Sequence, residues 1–225
     1  MSEVHGIVYA YRSSARLGDL TRWRTNASLP FCGRYRLIDF ALSSLSNAGV
    51  HSVGVIMQRD YQSLLDHIGS GKPWDMSRRD NGLRMLPPFG LPEYHKGNYT
   101  GTMEALNAVS TYIKDIKSKY VVLMLGNLYA NIDLTVPMKQ HKRSGAEITA
   151  ICADRCVDGS RLRYVTGDDG FVKHMLIKPR DESKGVASLE AYIINRDVLL
   201  RLMDYSHEHN LYLSLIHISE PTRLG

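Results

Sequence analysis

Residues 29 to 58 constrain the fold more than any other part of the chain. Within them Ile38, Ala41, Leu42 and Leu45 recur at i, i+3, i+4 and i+7, the stripe of a helix that lies on a sheet. Asn47 and Gly49 then supply a stop. The β-branched run from His51 to Met57 has the length of a strand buried on both faces. Helix, glycine stop and buried strand in that order make a βαβ step, so the pattern predicts an α/β fold.

The remaining punctuation agrees with that frame. Gly6 to Ala10 reads as the first strand, Tyr61 to Gly71 as a helix, and Leu83 to Leu86 as a short strand inside a Pro- and Gly-rich loop over 74–97. A helix is predicted from Thr102 to about Ile116, and the apolar run Tyr120 to Leu125 as a central strand. Thr135 to Ser144 suggests another helix and Ala146 to Cys152 another strand. Gly167-Asp168-Asp169-Gly170 marks the turn of a hairpin over 160–176, and Arg196 to Ser206 an amphipathic helix.

Composition narrows the function classes. The net charge of +5 and pI of about 9.1 invite a nucleic-acid reading. Basic and acidic residues alternate, however, and the densest run, Arg78-Arg79, meets Asp80 at once. A solvated face or a site for phosphorylated metabolites explains the excess better. Three cysteines, Cys32, Cys152 and Cys156, form neither a disulfide framework nor a four-ligand metal pattern, which fits a reducing cytoplasm. No apolar run approaches the roughly 20 residues that span a bilayer, and no membrane association is expected. Gly71-Lys72 fails as a phosphate-binding loop because Asp66 and Pro73 stand where Gly and Ser or Thr are required. With no G-x-G-x-x-G after the first strand, a dinucleotide-dependent dehydrogenase is excluded.

The stretch Pro30-Phe31-Cys32-Gly33-Arg34-Tyr35-Arg36-Leu37-Ile38-Asp39-Phe40, with Leu42-Ser43 and Asn47-Ala48-Gly49 after it, resembles the PFGGxYRIIDFxLSNxxNSG signature of the glucose-1-phosphate adenylyltransferase family. The resemblance extends from about Gly6 to Ser206. It implies a three-layer α/β/α nucleotide-sugar transferase domain around a mostly parallel, twisted sheet. In that family glucose 1-phosphate attacks the α-phosphate of ATP and pyrophosphate leaves, with Mg²⁺ bridging the nucleotide phosphates. Such chemistry rests on positioning and charge neutralisation.

The same resemblance exposes departures at the positions that do this work. The family's GGxGxRL loop, whose glycines admit a triphosphate, reads Tyr11-Arg12-Ser13-Ser14-Ala15-Arg16-Leu17 here. Tyr11, Arg12 and Ser14 replace the glycines, and Tyr11 and Arg12 are expected to fill the phosphate space. Asn26 replaces the lysine of RAKPA, and Asn127 replaces the aspartate of GDHIY that holds Mg²⁺. A neutral amide is a poor Mg²⁺ ligand. Ile177 replaces the carboxylate of EKP, and Met85-Leu86-Pro87-Pro88 lacks the glutamines expected near adenine. Arg16, Tyr99, Lys178 and Ser188 persist as candidate ligands for a sugar phosphate or nucleotide. His67, in a segment resembling SxSLxxHIxxG, is read as a helix-face histidine.

Retained packing motifs with lost catalytic groups imply a non-catalytic, regulatory-type subunit that assembles with a catalytic glucose-1-phosphate adenylyltransferase in bacterial glycogen synthesis. The alternatives are a weakly active sugar-phosphate nucleotidyltransferase and, on charge alone, a nucleic-acid-binding module. Leu213 to Arg223 resembles a translated sequencing adapter, so residues 1–212 are expected to form a partial transferase domain and 213–225 an artefactual tail. The family's second metal aspartate and its C-terminal β-helix would then lie beyond this chain.

Overall fold

β1 (Val4–Tyr9) is the strand on which the sheet is laid, because hydrogen bonding in both directions leaves all six of its residues buried. The computed structural model describes residues 3–12, 15–88, 99, 101–153, 162–179 and 184–209, with Ala15 and Arg16 as backbone only. Ser14, residues 89–98 and the 213–225 tail fall outside these ranges. In chain order the other strands are β2 (Pro30–Phe31), β3 (Tyr35–Arg36), β4 (Val53–Ile56), β5 (Leu83–Leu86), β6 (Tyr120–Leu125), β7 (Ile148–Cys152), β8 (Leu162–Thr166), β9 (Val172–Ile177) and β10 (Val186–Asn195). The helices are α1 (Ile38–Asn47), α2 (Gln62–Ile68), α3 (Thr102–Ala108), α4 (Ser110–Lys114), α5 (Thr135–Ser144) and α6 (Arg196–Glu208).

Eight strands form one sheet in the order β5-β4-β1-β6-β10-β8-β9, with β7 also paired to β10. The β5-β4-β1-β6 half is parallel throughout. β10 runs antiparallel to β6, β7 and β8, and β9 antiparallel to β8, so only β10 and β9 oppose the common direction. β2 and β3 make a separate hairpin. Helices cover both faces. Leu42 and Leu45 of α1 and Leu64 of α2 pack with Val8, Val55 and Val122 on one side. Leu106 of α3, Ile113 of α4 and Leu199 of α6 pack with Ile7, Ile56 and Leu123 on the other. The expected α/β/α layers are therefore present.

The predicted βαβ step stands as read: Ile38, Ala41, Leu42 and Leu45 are all buried. Gly49 takes a left-handed φ of 72°, its N–H bonds the Ser46 carbonyl, and the Val50 N–H bonds that of Leu45. One expectation needs correction. The helix from Thr102 to Ile116 is divided, because Val109 leaves helical geometry at φ −111°, ψ 25°. The break lets Tyr112 pack against β4, where a Cβ on Gly54 would approach its ring to 2.6 Å. Among the described residues no helix is long and apolar enough to cross a membrane.

Candidate functional site

The chain passes from β1 to β4 and β5 on one side, then returns to β6 on the other. That reversal makes the C-terminal ends of β1 and β6 a topological switch point, where open α/β sheets place their ligands. The segments that follow these two strands carry the residues singled out by sequence. The Gly126 N–H donates to the Tyr9 carbonyl at 2.7 Å, and the Asn26 N–H donates to the Arg12 carbonyl at 3.0 Å. A Cβ on Gly126 would lie 3.0 Å from the Tyr9 carbonyl and 3.2 Å from Ala27, so glycine allows this close approach. Arg12, Asn26 and Asn127 are thereby drawn to one place.

Tyr11 is buried, edge-on to Tyr99 at 5.2 Å and to Tyr9 at 5.9 Å. Its hydroxyl lies 3.4 Å from Oγ1 of Thr102 at the start of α3. Arg12 reaches across the sheet to Glu190 and donates from both terminal nitrogens, at 3.1 and 2.7 Å, to the two carboxylate oxygens. Burial opposes the charge on Arg12, yet contact with Glu190 carries its pKa above the ordinary value. Glu190 sits in the left-handed region at φ 50°, where the register of β10 against β7 shifts between Ser188 and Ala191. The Ser188 hydroxyl oxygen accepts the Glu190 N–H at 3.0 Å. Beside the pair, the Tyr192 and Tyr164 hydroxyls lie 3.2 Å apart. Burial pushes the pKa of Tyr192 up to about 12 and that of Tyr99 up to about 12, so both remain neutral hydrogen-bonding groups.

The expected residues thus divide. Tyr11, Arg12, Asn26, Tyr99, Asn127 and Ser188 gather around the switch point. Ile177 and Lys178 end β9, where Ile177 pairs with Leu162, and Arg163 next to it pairs with Ala187. That register puts Lys178 at the same end as Ser188 but about two strand spacings, roughly 10 Å, away. Lys178 is exposed at φ 47°, and Ile177 is also exposed. Ser14 and the Arg16 side chain fall outside the described residues. His67 bonds the Asp39 carboxylate at 2.7 Å on the flank of α1, in keeping with a scaffold role. Sequence reasoning overlooked Glu190, although a charged residue two positions after the candidate Ser188 was a usable signal.

Several buried polar atoms here have no partner among the described residues: the Tyr9, Tyr99 and Thr25 hydroxyls and the Oδ1 atoms of Asn26 and Asn127. A buried orphan costs about 1–3 kcal/mol unless something else satisfies it. These atoms suit hydrogen bonding to a polar ligand. They do not suit Mg²⁺, which prefers carboxylate and water oxygens: Asn127 offers a neutral amide, Glu190 is engaged by Arg12, and among the described residues no three His, Cys, Asp or Glu side chains cluster as a metal site.

Residues 6–218 match the profile of the family described as Nucleotidyl transferase. The chain is 32% identical over 204 residues to a glucose-1-phosphate adenylyltransferase of Clostridium acetobutylicum, covering 90% of this chain and 53% of that protein. The corresponding enzyme of Halalkalibacterium halodurans is 33% identical over 199 residues, covering 88% and 52%. That of Thermomicrobium roseum is 34% identical over 210 residues, covering 92% and 49%. The chain spans about half the length of the curated relatives it matches.

Proposed function

Because the chain belongs to the nucleotidyl transferase family, we propose that it serves ADP-glucose formation as a catalytically impaired, regulatory-type subunit that assembles with an active glucose-1-phosphate adenylyltransferase. In the cytoplasm of a glycogen-storing bacterium it would modulate the partner's conversion of ATP and glucose 1-phosphate to ADP-glucose and pyrophosphate. The observation that carries this reading is the state of the switch point. Arg12 and Glu190 hold each other where an open phosphate cradle is needed, and Asn127 presents an amide where the reaction needs a metal carboxylate. Similarity to adenylyltransferases supplies the substrate class.

The test is a pyrophosphate-release assay with ATP, Mg²⁺ and glucose 1-phosphate. The purified protein alone should release almost none, and mixing it with its catalytic homologue should change that enzyme's kinetics. Turnover within tenfold of an active family member would sink the reading. A weakly active transferase is the second reading, favoured by the intact β1 and β6 scaffold, and the same assay separates the two.

A further inference from the structure

We propose that Arg12 is a phosphate-receiving group held in reserve by Glu190, and that a phosphate monoester binds at the β1 strand end by displacing the Glu190 carboxylate. The inference rests on the reading that this strand end is the ligand site. It goes further by naming the exchange that would open it.

The geometry carries the argument. A guanidinium presents a planar fork that carboxylate and phosphate oxygens fill in the same two-point fashion. Glu190 fills it now, with one contact at 3.1 Å and one at 2.7 Å. The pair is not sealed: the Arg12 and Glu190 side chains retain 30% and 25% of their exposure, so a solute can reach the fork. Nor is Glu190 there without cost. Its φ of 50° lies in the left-handed region, which disfavours a side chain.

The surroundings supply what a bound phosphate needs next. Tyr11 is buried beside Arg12, and the Tyr99 hydroxyl, in a residue only 8% exposed, has no partner among the described residues. Neutral hydroxyls and one guanidinium match a single phosphate group. A metal-bridged triphosphate would need a carboxylate at Asn127 as well.

The experiment is isothermal titration of the purified protein with inorganic phosphate and, separately, with glucose 1-phosphate, at fixed ionic strength. Both should compete for one site. Glu190→Gln keeps the side-chain shape and removes the competing charge, so it should bind both ligands about tenfold more tightly, the scale of one charged hydrogen bond. Arg12→Gln should abolish binding. Arg12→Lys keeps the charge without the fork and should weaken binding severalfold, which guards against misfolding of the glutamine variant. Tighter binding of the ester than of inorganic phosphate supports contact with the sugar as well; equal binding supports recognition of the phosphate group alone. An unchanged or weakened affinity in Glu190→Gln, wild-type affinity in Arg12→Gln, or no phosphate binding by any form overturns the proposal. These titrations involve neither turnover nor a partner, so a failure of the regulatory-subunit reading would show in the mixed assay and leave them unaffected.

Discussion

The two ends of the β1 and β6 strands differ in how far they satisfy their buried polar groups. At the N-terminal end His5 is buried with both ring nitrogens engaged, by the Tyr112 hydroxyl at 2.8 Å and the Ser52 hydroxyl at 2.9 Å. At the C-terminal end the Tyr9, Tyr99 and Thr25 hydroxyls and the Asn26 and Asn127 oxygens have no partner among the described residues. Among the described residues eight buried side-chain polar atoms lack a partner: five stand at this one end and two, His51 Nδ1 and Arg196 Nε, at the other, where Asp75 lies 3.8 Å from His51 and Asp197 accepts from another nitrogen of Arg196. Folded proteins satisfy nearly all such groups. One end of the sheet is therefore largely finished by its own side chains, and the other leaves more for a ligand or water to finish.

The largest test asks whether the two ends belong to one cooperative unit. Leu123 lies fully buried in the middle of β6, between them. Leu123→Ala should cost about 2–5 kcal/mol in urea unfolding, through lost burial and the cavity left behind. Amide exchange should rise together at both ends of the strand. A rise confined to one end would show that the satisfied and unsatisfied regions unfold separately, and the comparison would then describe two units.

His5 tests the finished end. His5→Phe leaves the Tyr112 and Ser52 hydroxyls without their ring partner and should cost about 1–3 kcal/mol. Burial pushes the His5 pKa down to about 4. The unfolded chain therefore binds a proton near pH 6.5 that the folded protein refuses until about pH 4. Stability from this residue is complete above pH 6.5 and falls, by up to about 1.4 kcal/mol per pH unit, as pH drops toward 4. Urea midpoints between pH 7 and 5 should fall more steeply for wild type than for His5→Phe; parallel slopes would mean that His5 is not the titrating group.

Asn127 tests the unfinished end. Asn127→Asp places a carboxylate beside buried groups and should destabilise the protein by about 1–2 kcal/mol without metal. If the position can still address a metal, millimolar Mg²⁺ should restore the thermal midpoint of this variant and leave wild type unmoved. No response to Mg²⁺ would show that the site has lost more of its metal geometry than one carboxylate.

Legibility in the sequence follows the same division. The α1 stripe, the Gly49 stop, β5, β6 and α5 could be read because each is dictated by local periodicity or a local turn. Glycine losses after β1 and the amides at 26 and 127 were also visible, since a familiar motif shows its substitutions. The Arg12–Glu190 pair was not, because it joins residues 178 apart through a strand register that no local pattern encodes. The break at Val109 escaped for a similar reason: it serves the packing of Tyr112 on Gly54, a contact between residues 58 apart that no local pattern encodes.

The finest test separates the two contributions of Glu190, its side chain and its backbone. Glu190→Ala removes the ion pair with Arg12 and keeps a Cβ in the left-handed region, whereas Glu190→Gly removes the pair and the backbone cost together. A partly exposed pair of this kind contributes about 1 kcal/mol or less. A non-glycine residue at φ 50° costs about as much. Glu190→Gly should therefore be close to wild type in stability, and Glu190→Ala should be less stable than Glu190→Gly by about 1 kcal/mol. Equilibrium urea curves on the three proteins measure the difference directly. If alanine and glycine prove equal, the bend at Ser188 to Ala191 carries no strain, and Glu190 is held at this end of the sheet by its charge alone.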